Sequence, residues 1–328
     1  MNLENNRILS LDYMKALAIF FVVLGHLIDG VDSENNPFRV FIYSLHMPLF
    51  FIVSGFLSSK KVTSVGDLGK WYLRKMRLLI PFFVFTIGNV LFLGGPWNTF
   101  LGWNKFGLWF LWTLFLFDTI YAITQLVLIK NKNKKQELIG MMLPVLVCIA
   151  LRKYDETLLG GIFNFMQLYN YAFFILGVIV VRYGLQTYIF DERIQILMLF
   201  LYIVGLSTGI AALNIPMKVC GILLVYGFFE KLLATRNISL LQFGGGKINN
   251  LILSFGRHTL YIYILHFYLI RGDLTLPVSI HDVLFSVPFY YLTIYSVFSI
   301  IIMWICVEVA DFLNANKYIR MYVFGGKK

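Results

Sequence analysis

The chain has 328 residues, 59% of them hydrophobic and only 14% charged, with a mean hydropathy of +0.75, whereas a soluble domain carries about a quarter charged residues. The net charge of +11 does not point to nucleic acid, because the basic residues fall between hydrophobic runs, where orientation in a membrane accounts for them. The composition excludes a soluble globular domain and leaves an all-α polytopic protein, a transmembrane helical bundle in the lipid bilayer, divided most simply as one domain over 1–328.

Ten helices are predicted in chain order, over 11–30, 38–58, 76–95, 107–129, 138–152, 162–182, 194–213, 217–233, 251–271 and 283–310. Their loops test the count. Twenty lysines and arginines fall on the side of both termini, six on the other, and the remaining two, Lys15 and Arg257, lie inside spans. That loop-by-loop alternation predicts ten spans with both ends cytoplasmic. A basic start followed by an apolar run has no small-x-small cleavage site after it, so the first span is expected to stay. Cys148, Cys220 and Cys306 all lie in apolar spans and read as buried free thiols.

The first span, "LDYMKALAIFFVVLGHLIDG", keeps two ionisable groups in an otherwise apolar run, and such groups mark candidate sites. His26 falls in its outer half. Lys15, eleven residues earlier and therefore ~16 Å away along the helix, sits near the cytoplasmic edge. It reads either as a snorkelling side chain paired with Asp12 one turn before it, or as an anchor for an anionic ligand.

The second span, "SLHMPLFFIVSGFLSSK", runs back and puts His46 in its outer half as well. Pro48 cannot donate to the carbonyl of Ser44 and is expected to open or bend the helix. Ser54-Gly55 then gives a small, polar-edged surface that suits helix packing or a ligand. At the start of the third span Arg74, Lys75 and Arg77 add a basic group. "GLWFLWTLF" opens the fourth span with Trp109 and Trp112, which suit an interfacial aromatic belt or a sugar-stacking face.

Late in the chain "GRHTLYIYILHFYL" sets Tyr263 and His266 three apart on one helix face, with His266 in the outer half. Arg257 lies deep enough to need a partner. Three imidazoles from three helices thus share a depth. One membrane histidine is as a rule a structural hydrogen-bonder; three at one depth favour a site. "FGGGK", Phe243 to Lys247, lacks the spacing of a phosphate loop and reads as a flexible turn, and the sequon Asn237-Ile238-Ser239 falls on the cytoplasmic side.

In four blocks, "LDYMKALAIFFVVLGH", "HMPLFFIVSGFL", "RKMRLLIP" with "WFLWTLF", and "GRHTLYIYILH", the chain resembles the acyltransferase 3 family of membrane O-acyltransferases, which modify sugars of bacterial surface polysaccharides and related molecules. The family commonly has arginine where this chain has Lys15, and the form "LDYMKA…GH" is more similar to the branch described as fucose 4-O-acetylase-related. Lysine keeps the charge and loses the bidentate fork. No fused hydrolase-like domain of the kind some members carry is expected.

The resemblance implies a cytoplasmic acyl-CoA donor, acetyl-CoA first, and a multi-pass protein of the cell membrane acting on a sugar or polysaccharide hydroxyl. It needs no metal. On this reading His26 is the general base, with Asp12 placed in the same catalytic set. Lys15, Arg74 and Arg77 bind the donor phosphates, and His46, Ser54, Trp109, Tyr263 and His266 line the acceptor side. Composition and periodicity alone fit a proton-coupled transporter or flippase for a sugar equally well. The acceptor, the acyl chain and any oligomeric state stay open.

Overall fold

The computed structural model describes residues 3–29, 37–59, 64–102, 104–129, 132–234, 246–270 and 288–326. Among these there is no strand, and each of the ten predicted segments is largely helical where it is described. The sequon at 237–239 and most of the "FGGGK" turn lie outside the described residues.

In chain order the helices are α1 (Leu3–Asp29), α2 (Pro37–Ser58), α3 (Val65–Lys75), α4 (Leu79–Leu93), α5 (Trp109–Val127), α6 (Lys134–Leu151), α7 (Leu158–Phe163), α8 (Tyr171–Arg182), α9 (Gln186–Ile189), α10 (Glu192–Thr208), α11 (Asn214–Ala234), α12 (Lys247–Arg257), α13 (Thr259–Ile270), α14 (Pro288–Asn314) and α15 (Lys317–Tyr322). Among the described residues six stretches, Leu9–Asp29, Pro37–Ser58, Gly66–Phe92, Trp109–Val127, Phe165–Arg182 and Leu292–Asn314, are long and apolar enough to cross a bilayer by themselves. Side chains that a soluble fold would bury stand exposed along other helices too. Ile196, Leu197, Leu199, Phe200, Leu201 and Ile203 on α10 are all open, and a helix that is apolar all round in this way belongs in lipid.

Three elements differ from the sequence reading. The sixth predicted segment, 162–182, is interrupted at Asn164, which is left-handed (φ 59°, ψ 46°), and passes through a 3-10 stretch, Phe165–Asn170, before α8. The stretch read as a basic loop before the third span contains α3. Ser64 caps it, its Oγ accepting from the Asp67 amide at 3.0 Å, and Leu68, Trp71 and Tyr72 give it one apolar face, where Trp71 and Ala122 are buried together. The ninth segment is not one rod but two, α12 and α13, with the break at His258. Pro48, by contrast, leaves α2 helical on both sides, from Pro37 to Ser58.

The helices cluster into two compact units, one formed by Met1–Val53 with Leu185–Asp311 and the other by Ser54–Gly184 with Phe312–Lys328. In the first, α1 is the central helix and packs along α11, α12 and α13, while α10 and α11 form an antiparallel pair. Glycines set the closest approaches. A Cβ on Gly256 would lie 2.1 Å from the Asp12 carbonyl oxygen, and one on Gly221 would strike Tyr202 and Leu45. Cys220 and Cys306, like Cys148 of the second unit, are buried and free.

In the second unit Gly55 meets the backbone of Phe174, where a Cβ would lie 2.0 Å from the carbonyl oxygen. Gly55 thereby gives α2 its close packing on α8. The buried Asp118 of α5 binds Lys75 at 3.0 Å and accepts from the Ser58 hydroxyl at 2.9 Å. Arg182 pairs with Glu137 and donates to the Tyr121 hydroxyl at 2.9 Å.

Lys105, in the turn before α5, is buried at 1% exposure. Its ammonium donates to three carbonyls, those of Phe100 at 3.0 Å and of Gly102 and Gly161 at 2.9 Å, and burial pushes its pKa down to about 8. Lys105→Met should destabilise the protein. Three orphaned carbonyls at ~1–3 kcal/mol each outweigh the relief of removing one buried charge, and a net loss of about 2 kcal/mol is expected as a lower melting temperature in detergent.

Candidate functional site

Helix α1 carries polar groups at both ends of an otherwise apolar, buried stretch. At its N-terminal end Asp12 is the hub. Its carboxylate takes Lys15, three residues on, at 2.7 Å, and Arg257 of the last turn of α12 at 3.6 Å. The partner that Arg257 needs is therefore Asp12, brought near by the backbone approach at Gly256. Lys15 keeps 23% of its side chain exposed and Arg257 60%, so one buried carboxylate holds two cations that both still face outward. Asp12 itself is fourteen residues from His26, ~21 Å of helix. The structure pairs it with cations and not with the imidazole.

At the C-terminal end of α1 the histidines gather. The rings of His26 and His266 stack with centroids 5.4 Å apart and an interplanar angle of 27°. Phe267 covers both, at 5.0 Å from His26 and 4.3 Å from His266, and Tyr263 stands 6.1 Å from His266. His26 is open over 37% of its side chain, while His266 is fully buried.

The carboxylate that serves His26 is Asp29, one turn further along α1, with Oδ2 3.9 Å from Nδ1. Arg39 Nε donates to Asp29 Oδ1 at 2.7 Å and the Tyr43 hydroxyl donates to Oδ2. The Arg39 guanidinium also lies over the Tyr43 ring at 4.6 Å. Tyr43 then meets His46 edge-on at 4.7 Å. His46 and His266 are tied the same way, each Nδ1 lying beside the carbonyl four residues back, Ile42 at 3.0 Å and Ile262 at 2.8 Å.

The structure thus brings His26, His46, Tyr263 and His266 into one neighbourhood of the first unit. Sequence reasoning missed Asp29, Arg39 and Tyr43. The spacing His26 to Asp29, one helical turn, was the available signal. The remaining candidates belong to the second unit. Ser54 is half-buried on α2, next in the chain to the packing glycine Gly55. Arg74 is in α3, and Arg77 is exposed in the turn Met76–Leu78. Trp109 is half-buried at the start of α5, with Phe110 edge-on to it at 6.3 Å. Trp112 is structural, donating to the Ile162 carbonyl at 2.8 Å.

Apolar helices with exposed aliphatic faces, enclosing a cluster of imidazoles backed by a clamped carboxylate, define a multi-pass membrane protein with a polar site among its helices. The chain belongs to the acyltransferase 3 family, whose model, an acyltransferase domain, matches residues 8–308. It is similar to two curated proteins called nodulation protein NolL. One is from Sinorhizobium fredii (strain NBRC 101917 / NGR234), with 38% identity over 89 residues, 24% of this chain and 23% of the relative. The other is from Mesorhizobium japonicum (strain LMG 29417 / CECT 9101 / MAFF 303099), with 39% identity over 83 residues, 24% and 22% of the respective chains. The matches span less than a quarter of these relatives' length. No solved structure matches.

Proposed function

We propose that the protein is a multi-pass O-acyltransferase of the cell membrane that moves an acetyl group from cytoplasmic acetyl-CoA, or another acyl-CoA, to a hydroxyl of a cell-surface or lipid-linked sugar. Family membership supports acyl transfer. The observation that carries the site is His26, partly open and stacked on His266, with Asp29 behind it.

In the proposed reaction His26 removes the proton of the sugar hydroxyl as its oxygen attacks the thioester carbonyl. The tetrahedral intermediate collapses with cleavage of the carbon–sulfur bond, and the departing thiolate of coenzyme A takes that proton back from the imidazolium. The products are a sugar ester and free coenzyme A. Asp29, held by Arg39 and Tyr43, favours the cationic ring in between. Both termini lie in the cytoplasm on this reading. The cytoplasmic donor then enters at the Asp12 end of α1, and only its acyl-bearing arm needs to travel the ~16 Å from Lys15 to His26. Lys15 is assigned to the anionic donor by charge.

Proteoliposomes given radiolabelled acetyl-CoA and candidate glycosides test this. Label on the acceptor is the expected result; acceptor movement without label would make the protein a transporter. Lys15→Ala should raise the apparent KM for the donor about tenfold, the loss of roughly one charge-assisted contact, with kcat little changed because the chemistry is at the other end of the helix. An unchanged KM removes Lys15 from the donor site.

A further inference from the structure

His266 holds a buried acceptor that nothing among the described residues satisfies. Its Nδ1 lies 2.8 Å from the Ile262 carbonyl oxygen. A carbonyl only accepts, so the ring proton is on Nδ1 and the lone pair of the neutral imidazole is on Nε2. The side chain is fully buried and Nε2 has no hydrogen-bond partner among the described residues. A buried acceptor without a donor costs about 1–3 kcal/mol, and a ligand that brings a donor recovers it.

The locked tautomer also limits what that ligand is. A neutral His266 cannot donate to an oxyanion or to an ester carbonyl, so it does not stabilise the charge that develops on the thioester oxygen. It takes an X–H group. The hydroxyl that reacts carries a single hydrogen, and that hydrogen goes to His26. The two ring centroids lie 5.4 Å apart; hydroxyls on adjacent carbons have oxygens about 3 Å apart, and each reaches an acceptor about 3 Å further on, so one vicinal pair can serve both imidazoles. Phe267 packs on both imidazoles.

We propose that His266 Nε2 seats a second hydroxyl of the acceptor, on the carbon next to the one that is acylated, so that the site takes vicinal diols and discriminates against isolated alcohols. This rests on the acyl-transfer reading of the same site, and two measurements separate the two ideas.

The first uses the full chain in nanodiscs with ¹⁵N-labelled histidine and needs no turnover. His266, assigned from the spectrum of His266→Gln, should show an unprotonated Nε2. Its resonance should shift with cis-1,2-cyclohexanediol and much less with cyclohexanol. A protonated Nε2, or equal shifts with both probes, overturns the proposal. The second uses radiolabelled acetyl-CoA with the same two alcohols. The wild type should favour the diol by roughly 10–100-fold in kcat/KM, the worth of one buried acceptor. His266→Leu should lose that preference, and His266→Gln, which keeps an acceptor, should retain part of it. Equal use of both alcohols by the wild type, or an undiminished preference in His266→Leu, overturns the proposal. A diol-selective shift without label transfer supports the diol site and removes the acyl-transfer reading alone.

Discussion

His26→Ala is expected to lower acyl transfer by about 10²–10⁴-fold, the worth of a positioned general base, while the protein still inserts and melts close to wild type. The structural cost is small for three reasons. The side chain is already 37% exposed, so its loss opens little cavity. Asp29 keeps Arg39 and Tyr43 as partners, so no carboxylate is stranded. His266 keeps its bond to Ile262 and its cover from Phe267. The chemical cost is large because neither neighbouring imidazole is placed to substitute. His46 is engaged with Tyr43, and His266 is fully buried beneath the ring that would be removed. Turnover near the wild-type level in a well-folded His26→Ala protein would take the base away from this residue.

How much of this was legible in the sequence follows from what each signal measures. Runs of apolar residues report burial in lipid; the ten they marked are largely helical where described, and among the described residues six stretches are long and apolar enough to cross a bilayer by themselves. Such runs say nothing about a change of axis, so the break at His258 inside one continuous apolar run was invisible. α3 was missed because its basic residues matched the expectation for a cytoplasmic loop, although Ser64 and Asp67 carried a capping signature. The depth match of His26 and His266 was legible because span direction and the rise per residue fix depth. Their stacking was not, since lateral position comes only from packing. The pairing of Asp12 with Lys15 follows from three-residue spacing, whereas that of Asp12 with Arg257 joins residues 245 apart in the chain and needs the tertiary contact at Gly256.

That contact at Gly256 carries the second large prediction. A Cβ there would lie 2.1 Å from the Asp12 carbonyl oxygen, 2.8 Å from its carbon and 3.1 Å from its Cα. All three atoms are backbone of α1, so no rotamer change relieves the clash and the two helices must part. Gly256→Ala should therefore cost more than the ~1–3 kcal/mol of ordinary overpacking, even after the ~0.5–1 kcal/mol that alanine gains over glycine in a helix. Gly69→Ala in α3 is the matched control. A Cβ at Gly69 meets nothing within 4 Å, so this change should raise the melting temperature slightly through helix propensity alone. Separation of α1 from α12 also acts on the site, because Arg257 follows Gly256 directly and reaches Asp12 only while the helices touch. Any folded fraction of Gly256→Ala should then share the raised donor KM of Lys15→Ala. If Gly256→Ala instead melts and turns over like Gly69→Ala, α1 and α12 do not meet at this level, and the grouping of Lys15, Asp12 and Arg257 at one mouth of the helix fails with that contact.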